Sequence, residues 1–300
     1  MTDRYAVIGN PVAHSRSPAI HARFASQTGH DIEYGRLLAP LDGFVEAVRR
    51  FRNEGGRGLN VTLPFKLEAF AWAGRRSARA QAAGAVNTLR FDADGASLGD
   101  NTDGAGLVRD VETRLGMSLA GRSVLVLGAG GAARGALGPL LDAGVARLVI
   151  ANRTPGKAVA LVEAFTQAGG AGGAQAGGAQ ARASTSGSPP RARPRACEFA
   201  ALDAGFELIV NATSTGLSGA RLPVPDAVFA TAALAYDMFY APRDTAFMAQ
   251  ALGAGCRRAC DGLGMLVEQA AESFLVWRGV RPLTGPVYEA LRAEFAAEAG

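Results

Sequence analysis

The stretch Ser123-Val-Leu-Val-Leu-Gly-Ala-Gly-Gly-Ala-Ala-Arg134 decides the fold of this chain. Four apolar residues, beginning at Val124, run directly into Gly128, and an alanine-rich segment that favours helix begins at Ala132. This order predicts a buried strand, a tight turn and a helix, which together open a βαβ unit. The expected fold class is therefore α/β.

The turn in this unit has the spacing of a dinucleotide-binding loop. Gly128, Gly130 and Ala133 match the pattern G-x-G-x-x-[GA], in which small residues make the turn, admit a pyrophosphate and pack helix on strand. The phosphate would bind free N–H groups at the helix N-terminus. A tight βα turn without a ligand has the same spacing, and the chain contains 39 glycines, so the loop needs support from its surroundings.

The next predicted strand, over residues 147–152, supplies that support. It ends at Asn152-Arg153-Thr154, about where a Rossmann unit places its ribose-binding residue, and Lys157 follows. An acid there would accept from the 2′-hydroxyl of NAD, but no acid is present. Because a planar guanidinium suits a phosphate, Arg153 favours the 2′-phosphate of NADP. The alternative is that Arg153 is a solvated loop residue.

Composition limits the class of protein. With 300 residues and 48% hydrophobic content, the chain is long enough for two domains, and it has no apolar run of membrane-spanning length. No signal peptide is recognisable at the N-terminus. The three cysteines predict reduced thiols in a soluble, cytoplasmic protein rather than disulfides. Cys256 and Cys260 have a metal-like spacing, but no second ligand pair is near, so no metal is expected.

The basic charge is concentrated in one segment. The net charge is +4, and residues 168–196 contain four arginines and no acid. This segment is rich in Gly, Ala, Ser and Pro and has no aromatic or branched aliphatic residue to bury, so we expect a low-complexity insertion between a helix and the next strand. No nucleic-acid partner is expected, because the segment lacks aromatic residues.

The N-terminal half carries further polar candidates. Ser17 precedes Pro18, which predicts an N-cap and a helix running to about Thr28. Capping is the ordinary interpretation of such a serine, but Ser15 and Ser17 beside free N–H groups also suit a carboxylate. Lys66 follows an apolar run and a proline turn, so desolvation beside a carboxylate would make it a usable proton donor.

Two more elements precede the dinucleotide loop. Residues 83–90 are predicted as a strand, and residues 107–115 as a helix that Asp103 introduces. An acid at a helix start is stabilised by the helix dipole, so Asp103 is either a cap or a functional carboxylate. A later apolar run over residues 265–277 predicts a helix that returns to the first domain, which makes a hinge between the domains plausible.

Nine ordered motifs carry a family resemblance. They cover nearly the whole chain outside residues 168–196 and are similar to the motifs of the shikimate dehydrogenases of aromatic amino acid biosynthesis. The motifs are Asn10-Pro-x-x-His-Ser-x-Ser-Pro, Asn60-Val-Thr-x-Pro-Phe-Lys, Gly84-Ala-Val-Asn-Thr, Gly99-Asp-Asn-Thr-Asp-Gly, Gly128-Ala-Gly-Gly-Ala, Asn152-Arg-Thr, Asn211-Ala-Thr-Ser-Thr-Gly, Tyr236-Asp-Met-x-Tyr240 and Asp261-Gly-Leu-Gly-Met-Leu-x-x-Gln269.

The resemblance implies an enzyme that reversibly reduces 3-dehydroshikimate to shikimate with NADPH, in a cleft between two α/β domains. Residues 1–106 and 265–300 would form the substrate domain, and residues 107–264 a Rossmann-type NADP-binding domain. The implied catalytic pair, which also contacts the substrate, is Lys66 and Asp103. The other implied substrate-binding residues are Ser15, Ser17 and Thr62 for the carboxylate and Asn87, Tyr240 and Gln269 for the hydroxyls. The implied cofactor-binding residues are Gly128, Ala129, Gly130, Gly131 and Ala132 at the pyrophosphate, Asn152, Arg153, Thr154 and Lys157 at the adenosine phosphate, and Met238 and Gly262 at the nicotinamide.

The chemistry of the residues agrees with this implication. Hydride arriving at a ring carbonyl builds negative charge on oxygen, which the Lys66 ammonium can neutralise while Asp103 keeps it oriented. Two alternatives stay open: a quinate/shikimate or aminoshikimate dehydrogenase paralogue, and a ligand-binding regulator without catalysis. The chain departs from the family at Ala78, where an acid often stands. The expected partner is a small-molecule substrate, with no membrane; a homodimer is left open.

Overall fold

A computed structural model describes residues 2–171, 192–213 and 219–299 of the chain. These residues form two β-sheets, each with helices against it. The first sheet and its helices comprise β1 (Asp3–Gly9), α1 (Ser17–Thr28), β2 (Ile32–Leu38), α2 (Phe44–Asn53), β3 (Gly56–Val61), α3 (Lys66–Trp72), β4 (Arg75–Arg76), α4 (Ala78–Ala83), β5 (Thr88–Phe91) and β6 (Ser97–Asp100).

The first sheet is mixed. Its strand order is β2-β1-β3-β5-β6-β4. The pairs β1–β2, β1–β3 and β4–β6 are parallel, whereas β5 pairs antiparallel with both β3 and β6. The carboxyl ends of β1 and β3 therefore lie at one edge of the sheet, and the loops that follow these two strands carry the serines and the lysine singled out above.

The second sheet is parallel throughout the described residues. Its strand order, β12-β11-β10-β7-β8-β9, is that of a Rossmann sheet. The sheet and its helices comprise β7 (Ser123–Leu127), α6 (Gly131–Asp142), β8 (Arg147–Ala151), α7 (Pro155–Ala171), β9 (Arg195–Cys197), β10 (Leu208–Asn211), α8 (Asp226–Ala230), β11 (Leu234–Asp237), α9 (Ala246–Gly253) and β12 (Ala259–Cys260). The βαβ unit predicted from the opening stretch is thereby confirmed.

Alternate residues of the central strands enter two separate cores. Val124 and Val126 of β7 pack in one hydrophobic cluster, while Leu125 and Leu127 pack in the cluster on the opposite face. All four are fully buried. A continuous apolar run is what a parallel strand covered by helices on both faces requires.

The connections between the sheets are helical. Helix α5 (Asp103–Arg109) continues into a π-helical turn (Asp110–Arg114) on the way to the second sheet. Helix α10 (Leu263–Arg278) returns along α5, and α11 (Gly285–Ala299) follows it. Both α10 and α11 pack against α1, and α10 also contacts strands β3 and β5 of the first sheet. Each sheet is thus tied to the other by two helical segments.

Helix α5 packs against α6 through glycine. A Cβ atom added to Gly104 would lie 2.1 Å from the carbonyl oxygen of Gly135 and 2.7 Å from the ring of Pro139. These distances are far inside ordinary van der Waals contact, so only glycine fits at position 104. The helix that begins with Asp103 is therefore in direct backbone contact with the helix that begins at the dinucleotide loop.

Three local predictions need correction. Ser17 is not the N-cap of α1 but its first residue, and the side chain of Ser15 accepts from the Ser17 N–H instead, at 3.3 Å. The strand predicted over residues 83–90 begins only at Thr88, because Gly84 ends α4 in a left-handed conformation with φ of 59°. The helix predicted over residues 107–115 begins earlier, and Asp103 is its first residue.

The predicted insertion overlaps regular structure at both ends. Helix α7 runs to Ala171, and β9 begins at Arg195 and pairs with β8. Residues 172–191 of the predicted insertion lie outside the described residues. Among the helices that the structure describes, none is long and apolar enough to cross a membrane.

Candidate active site

A lysine and an aspartate meet where the two sheets face each other. Lys66 is the first residue of α3, and Asp103 is the first residue of α5. The Lys66 Nζ lies 2.5 Å from Asp103 Oδ2, and the two side chains are 19% and 9% exposed. At this separation and burial the contact is a charge-assisted hydrogen bond rather than a solvated surface pair. The ammonium is therefore held in place by the protein itself.

Asn87 holds the other oxygen of the same carboxylate. Its Nδ2 donates to Asp103 Oδ1 at 2.7 Å and to Thr102 Oγ1 at 2.9 Å, and its Oδ1 accepts from the Thr102 backbone N–H at 2.9 Å. Asn87 is 3% exposed. Both carboxylate oxygens of Asp103 thus have a defined donor, which fixes the plane of the carboxylate relative to Lys66.

Three hydroxyl side chains lie at the same edge of the first sheet as this pair. Ser15 and Ser17 lie in the loop after β1 and at the start of α1, and Thr62 follows β3, where its N–H donates to the carbonyl of Ile8. Arg36 donates two hydrogen bonds to the carbonyl of Ser15, which anchors the loop. The parallel pairing of β1 and β3 therefore brings these hydroxyls to the same edge as Lys66.

The opposite wall comes from α10 and from the loop after β11. Gln269 donates its Nε2 to the carbonyl of Leu266 and turns its Oε1 towards Asn87. Tyr240 stacks on Phe295 with 6.0 Å between ring centroids, and burial raises the pKa of the Tyr240 hydroxyl. That hydroxyl therefore keeps its proton near neutral pH and can donate it in a hydrogen bond.

These walls enclose a cavity of about 440 Å³. The structure brings together all the residues predicted to contact substrate, together with three of those predicted to hold the cofactor. The predicted residues that line the cavity are Ser15, Ser17, Thr62, Lys66, Asn87, Asp103, Ala132, Met238, Tyr240, Gly262 and Gln269. Gly262 accommodates close backbone approach, since a Cβ there would lie 2.5 Å from the carbonyl oxygen of Met238.

The dinucleotide loop lies at the end of β7, beside the cavity. Gly128 adopts φ of 110°, a left-handed conformation that favours glycine, and its N–H donates to the carbonyl of Ala151. Helix α6 begins at Gly131 and has no side-chain cap at its N-terminus. Its first N–H groups are therefore open to an anion. Ala129 and Gly130 complete this turn.

The remaining predicted cofactor residues lie after β8, outside the cavity. Asn152 donates its side-chain amide to the carbonyl of Thr154, which shapes the loop. Arg153 and Lys157 are exposed. Neither side chain has a hydrogen bond or ion pair within residues 2–171, 192–213 and 219–299. Two cations at the carboxyl end of a Rossmann strand suit a phosphate group.

Ala78, where the similar family often has an acid, lies near the contact between the first-sheet half and the second-sheet half of the protein. Ala78 is the first residue of α4, which packs against α6. The neighbouring Arg79 forms an ion pair with Asp100, with 2.6 Å between Nη2 and Oδ2, and contacts Glu272 of α10. This ion pair was not predicted from the sequence, because the partners of Arg79 lie 21 and 193 residues away.

A buried polar cluster that adjoins the cavity was not predicted from the sequence. Asn60, Thr88 and Ser273 are at most 6% exposed and hydrogen-bond to one another. Asn60 and Thr88 fall inside motifs quoted above, but Ser273 does not. Their positions in the sequence contain no spacing signal, since the contact between Asn60 and Ser273 spans 213 residues.

Three family models match separate stretches of the chain. Residues 7–89 match the family described as shikimate dehydrogenase substrate binding domain. Residues 110–170 match shikimate / quinate 5-dehydrogenase, and residues 262–292 match the shikimate 5'-dehydrogenase C-terminal domain. Together the three matches reach both sheets and the returning helix α10.

Individual relatives match over nearly their whole length. The shikimate dehydrogenase (NADP(+)) of Janthinobacterium sp. (strain Marseille) is 53% identical, covering 97% of this chain and 97% of its own. That of Aromatoleum aromaticum is 54% identical, covering 97% of this chain and 98% of its own. The crystal structure of shikimate 5-dehydrogenase from Thermus thermophilus in complex with NADP(H) and shikimate is 33% identical, with a TM-score of 0.79, covering 97% of this chain and 99% of its own. This chain therefore belongs to the shikimate dehydrogenase family.

Proposed function

We propose that the chain catalyses the reversible reduction of 3-dehydroshikimate to shikimate with NADPH. The observation that carries this proposal is the Lys66–Asp103 pair at the base of one cavity that also contains the carboxylate-binding hydroxyls and borders the dinucleotide loop. Family membership supports the same reaction, since the relatives named above are NADP-dependent shikimate dehydrogenases.

The substrate carboxylate would lie against Ser15, Ser17 and Thr62. These hydroxyls can donate three hydrogen bonds to it without an arginine, and the Ser17 side chain is largely buried. Anchoring there directs the opposite side of the ring towards Lys66, Asp103 and Gln269. Asn87 has its amide protons directed to Asp103 and Thr102, so its contribution to the substrate hydroxyls would be made through the placement of Asp103.

The residues present fit a bound dinucleotide. Gly128 leaves no room for a Cβ, which would lie 2.9 Å from the carbonyl oxygen of Ala212, and α6 offers its uncapped N–H groups to the pyrophosphate. Arg153 and Lys157 would contact the 2′-phosphate, with Asn152 and Thr154 shaping that loop. Met238 and Gly262 would border the nicotinamide. When bound, NADPH supplies the hydride.

The proton would come from Lys66. As negative charge grows on the substrate oxygen, the Lys66 ammonium transfers a proton to it, and in the reverse direction the amine removes that proton. Asp103 holds the ammonium at 2.5 Å and compensates its charge, and its carboxylate is in turn fixed by Asn87. Lys66 and Asp103 both belong to the first-sheet half and the dinucleotide loop to the second, so the reaction requires both halves.

Domain bounds, cellular location and oligomeric state are part of the same proposal. We infer a substrate domain of residues 1–106 and 265–300 and an NADP-binding domain of residues 107–264, which agrees with α10 returning from the second sheet to the first. The three free cysteines support a cytoplasmic location, where thiols stay reduced. Light scattering of the purified protein tests whether it forms a homodimer.

One spectrophotometric assay tests the activity. NADP reduction is followed with shikimate, with quinate and with a buffer blank, and each substrate is repeated with NAD. Turnover of shikimate with NADP well above all other combinations is expected. Comparable turnover of quinate would indicate the quinate/shikimate paralogue instead. Binding of shikimate without turnover of any of these combinations would indicate a regulator and would contradict the proposal.

A further inference from the structure

We propose that a buried hydrogen-bond chain, running Tyr34–Asn60–Ser273–Thr88–Asn87, positions Asp103 for catalysis and makes Thr88 a positioning residue. The expected effect on turnover rests on the proposed function, whereas the hydrogen-bond chain itself is seen in the geometry. The successive donor–acceptor distances are 2.7, 2.9, 2.8 and 3.0 Å, and the last link, from Asn87 to Asp103, is 2.7 Å. Every link falls within the usual range for a hydrogen bond.

The two amide side chains have only one satisfactory orientation. Asn60 turns its Nδ2 towards the backbone carbonyl of Asn87, which can only accept, so its Oδ1 faces the Tyr34 hydroxyl. Asn87 turns its Oδ1 towards the backbone N–H of Thr102, which can only donate, so its Nδ2 faces Asp103. The backbone thus decides the direction of both amides.

The hydroxyl protons follow from these fixed points. Thr88 Oγ1 must donate to Asn87 Oδ1, because two acceptors 3.0 Å apart would otherwise face each other. Ser273 Oγ accepts from Asn60 Nδ2 and has more than one acceptor within reach of its one proton, including Thr88 Oγ1 at 2.8 Å and the backbone carbonyl of Gln269 at 3.0 Å. Asn60 Nδ2 also donates to Thr88 Oγ1 directly at 3.3 Å, so Thr88 accepts from this side with any placement of the Ser273 proton. Tyr34 must be the donor to Asn60, and burial raises the pKa of Tyr34, so it keeps that proton.

The donor groups of Tyr34, Asn60, Thr88 and Asn87 therefore all point the same way, towards the Asp103 carboxylate. Aligned hydrogen bonds in a buried site polarise one another, so each link strengthens the next. Asn60, Asn87, Thr88 and Ser273 are all at most 6% exposed, which keeps competing water out. The chain holds Oδ1 of Asp103 from behind, while Lys66 contacts Oδ2 from the cavity. Breaking the chain at Thr88 loosens the carboxylate without changing a residue that lines the cavity.

The test uses a matched pair of substitutions at Thr88. Thr88→Val keeps the shape and removes the proton donor, whereas Thr88→Ser keeps the donor. For Thr88→Val we expect kcat with shikimate and NADP to fall about tenfold, as for one lost hydrogen bond in a charged network, with KM for both substrates within about twofold. Thr88→Ser should recover most of that loss. Tyr34→Phe, which shortens the chain at its far end and keeps its stacking on His21, should lose less.

A second readout does not depend on activity. Lys66 and Lys157 are the two lysines of the sequence, so an amine-acylating reagent reports on Lys66 with Lys157 as an internal control. If Thr88→Val loosens Asp103, Lys66 should acylate about two- to tenfold faster relative to Lys157, matching the loss of one hydrogen bond. Peptide mass spectrometry after brief labelling measures this ratio in wild type and variant.

The outcomes separate the two proposals. A wild-type enzyme that does not turn over shikimate would contradict the proposed function. The labelling ratio alone would then test whether the hydrogen-bond chain positions Asp103. A Thr88→Val variant with wild-type kcat and an unchanged labelling ratio would contradict the proposal that the hydrogen-bond chain positions Asp103. A Thr88→Ser variant as impaired as Thr88→Val would overturn it too, because the position would then matter for packing rather than for its proton.

Discussion

The proposed substrate site in the cavity and the proposed cofactor site after β8, outside the cavity, are organised in opposite ways. On the substrate side, Lys66 and Asp103 are in contact, and Asn87 and a buried chain of donors hold the carboxylate from behind. On the cofactor side, Arg153 and Lys157 are exposed and have no hydrogen-bond or ion-pair partner among the described residues. The groups that would move a proton are fixed in advance, whereas the groups that would recognise a phosphate extend into solvent.

This difference separates catalysis from affinity. A fixed, desolvated donor loses little by reorganising during the reaction, so changes there should appear mainly in kcat. A solvated cation contributes by contacting the bound anion, so changes there should appear mainly in KM for the cofactor. The predictions below test this division, beginning with the largest effect.

Replacing Lys66 should have the largest effect. Lys66→Ala removes the proton donor, and we expect kcat to fall by about 10²–10⁴-fold with the affinity for NADPH unchanged. Lys157→Ala is the matched control: it removes the other lysine of the sequence and should raise KM for NADPH while leaving kcat nearly intact. A Lys66→Ala enzyme that kept more than about a tenth of wild-type kcat would refute the role of this lysine.

The carboxylate should behave as one unit with the lysine. Asp103→Asn is expected to reduce kcat to a similar extent, and the double variant should be little worse than either single variant, because residues that act together are not additive. Steady-state kinetics of the four proteins forms a complete cycle. Independent losses that multiply in the double variant would contradict the pairing seen between Nζ and Oδ2.

The buried histidine of the first-sheet half should make the protein less stable at acidic pH. His21 is fully buried and stacks on Tyr34 at 4.2 Å between ring centroids, and desolvation lowers the pKa of His21 from 6.5 to about 3. The unfolded chain binds a proton below pH 6.5 that the folded chain does not, so this stability is present above pH 6.5 and is lost as the pH falls towards 3. We expect a loss of about 3 kcal/mol in the free energy of unfolding between about pH 7 and pH 4.

Urea unfolding at several pH values measures this loss. His21→Phe keeps an aromatic ring in the stack and has no proton to bind, so its stability should fall less over the same pH range than that of wild type. The comparison is made between the two slopes rather than the two absolute stabilities. Equal slopes would mean that His21 already binds a proton in the folded protein, and that this interior is wetter than the structure indicates.

Replacing Arg153 should have a smaller effect than replacing Lys66 or Asp103, and the effect should be on cofactor preference. Arg153→Asp puts an acid where NAD-binding units have one, and we expect NADPH binding to weaken by about 1.5–3 kcal/mol while NADH binding is spared. KM values for both cofactors measure the change. Arg49→Asp, an exposed substitution on α2 of the other half, controls for the charge change itself. An unchanged preference for NADPH would remove Arg153 from the cofactor site.

The smallest effect is expected from the low-complexity segment. Residues 172–191 carry no aromatic or branched aliphatic side chain, so replacing them with a short glycine-serine linker should keep turnover within about threefold of wild type. The substitution leaves α7 and β9 complete, which an excision of residues 168–196 would not. Insoluble or inactive protein would show that the segment packs against the enzyme.

The sequence predicts those features whose signals are local. The turn from β7 into α6 is confirmed because an apolar run, glycines at fixed offsets and alanines all lie within one short stretch. Lys66 could be singled out as the charged residue after an apolar run and a proline turn, and Asp103 as the acid that introduces a helix; each is the first residue of a helix in the structure. Their mutual contact followed from the family resemblance and not from spacing.

Features that depend on distant contacts could not be predicted. The π-helical turn at Asp110 is an example: the carboxylate is fully buried, accepts from the Tyr236 hydroxyl at 2.6 Å, and lies so close to α10 that a Cβ at Gly264 would be 2.0 Å from Oδ1. Arg114, four residues on, also pairs with this carboxylate, but Tyr236 lies 126 residues away and Gly264 lies on a helix that returns from the second sheet. The donor chain to Asp103 was missed for the same reason, since Ser273 lies on a helix that returns from the second sheet.

The glycine contact between α5 and α6 limits how this protein can evolve. Asp103 is one residue from Gly104, and Gly135 is one turn into the helix that follows the dinucleotide loop. A methyl group at Gly104 would have to push the carbonyl of Gly135 back by on the order of an ångström, a displacement large enough to cost catalysis heavily. The spacing between the proposed proton donor and the dinucleotide loop is thus set by two residues without side chains, and neither position can change to a larger amino acid unless one of the two helices moves.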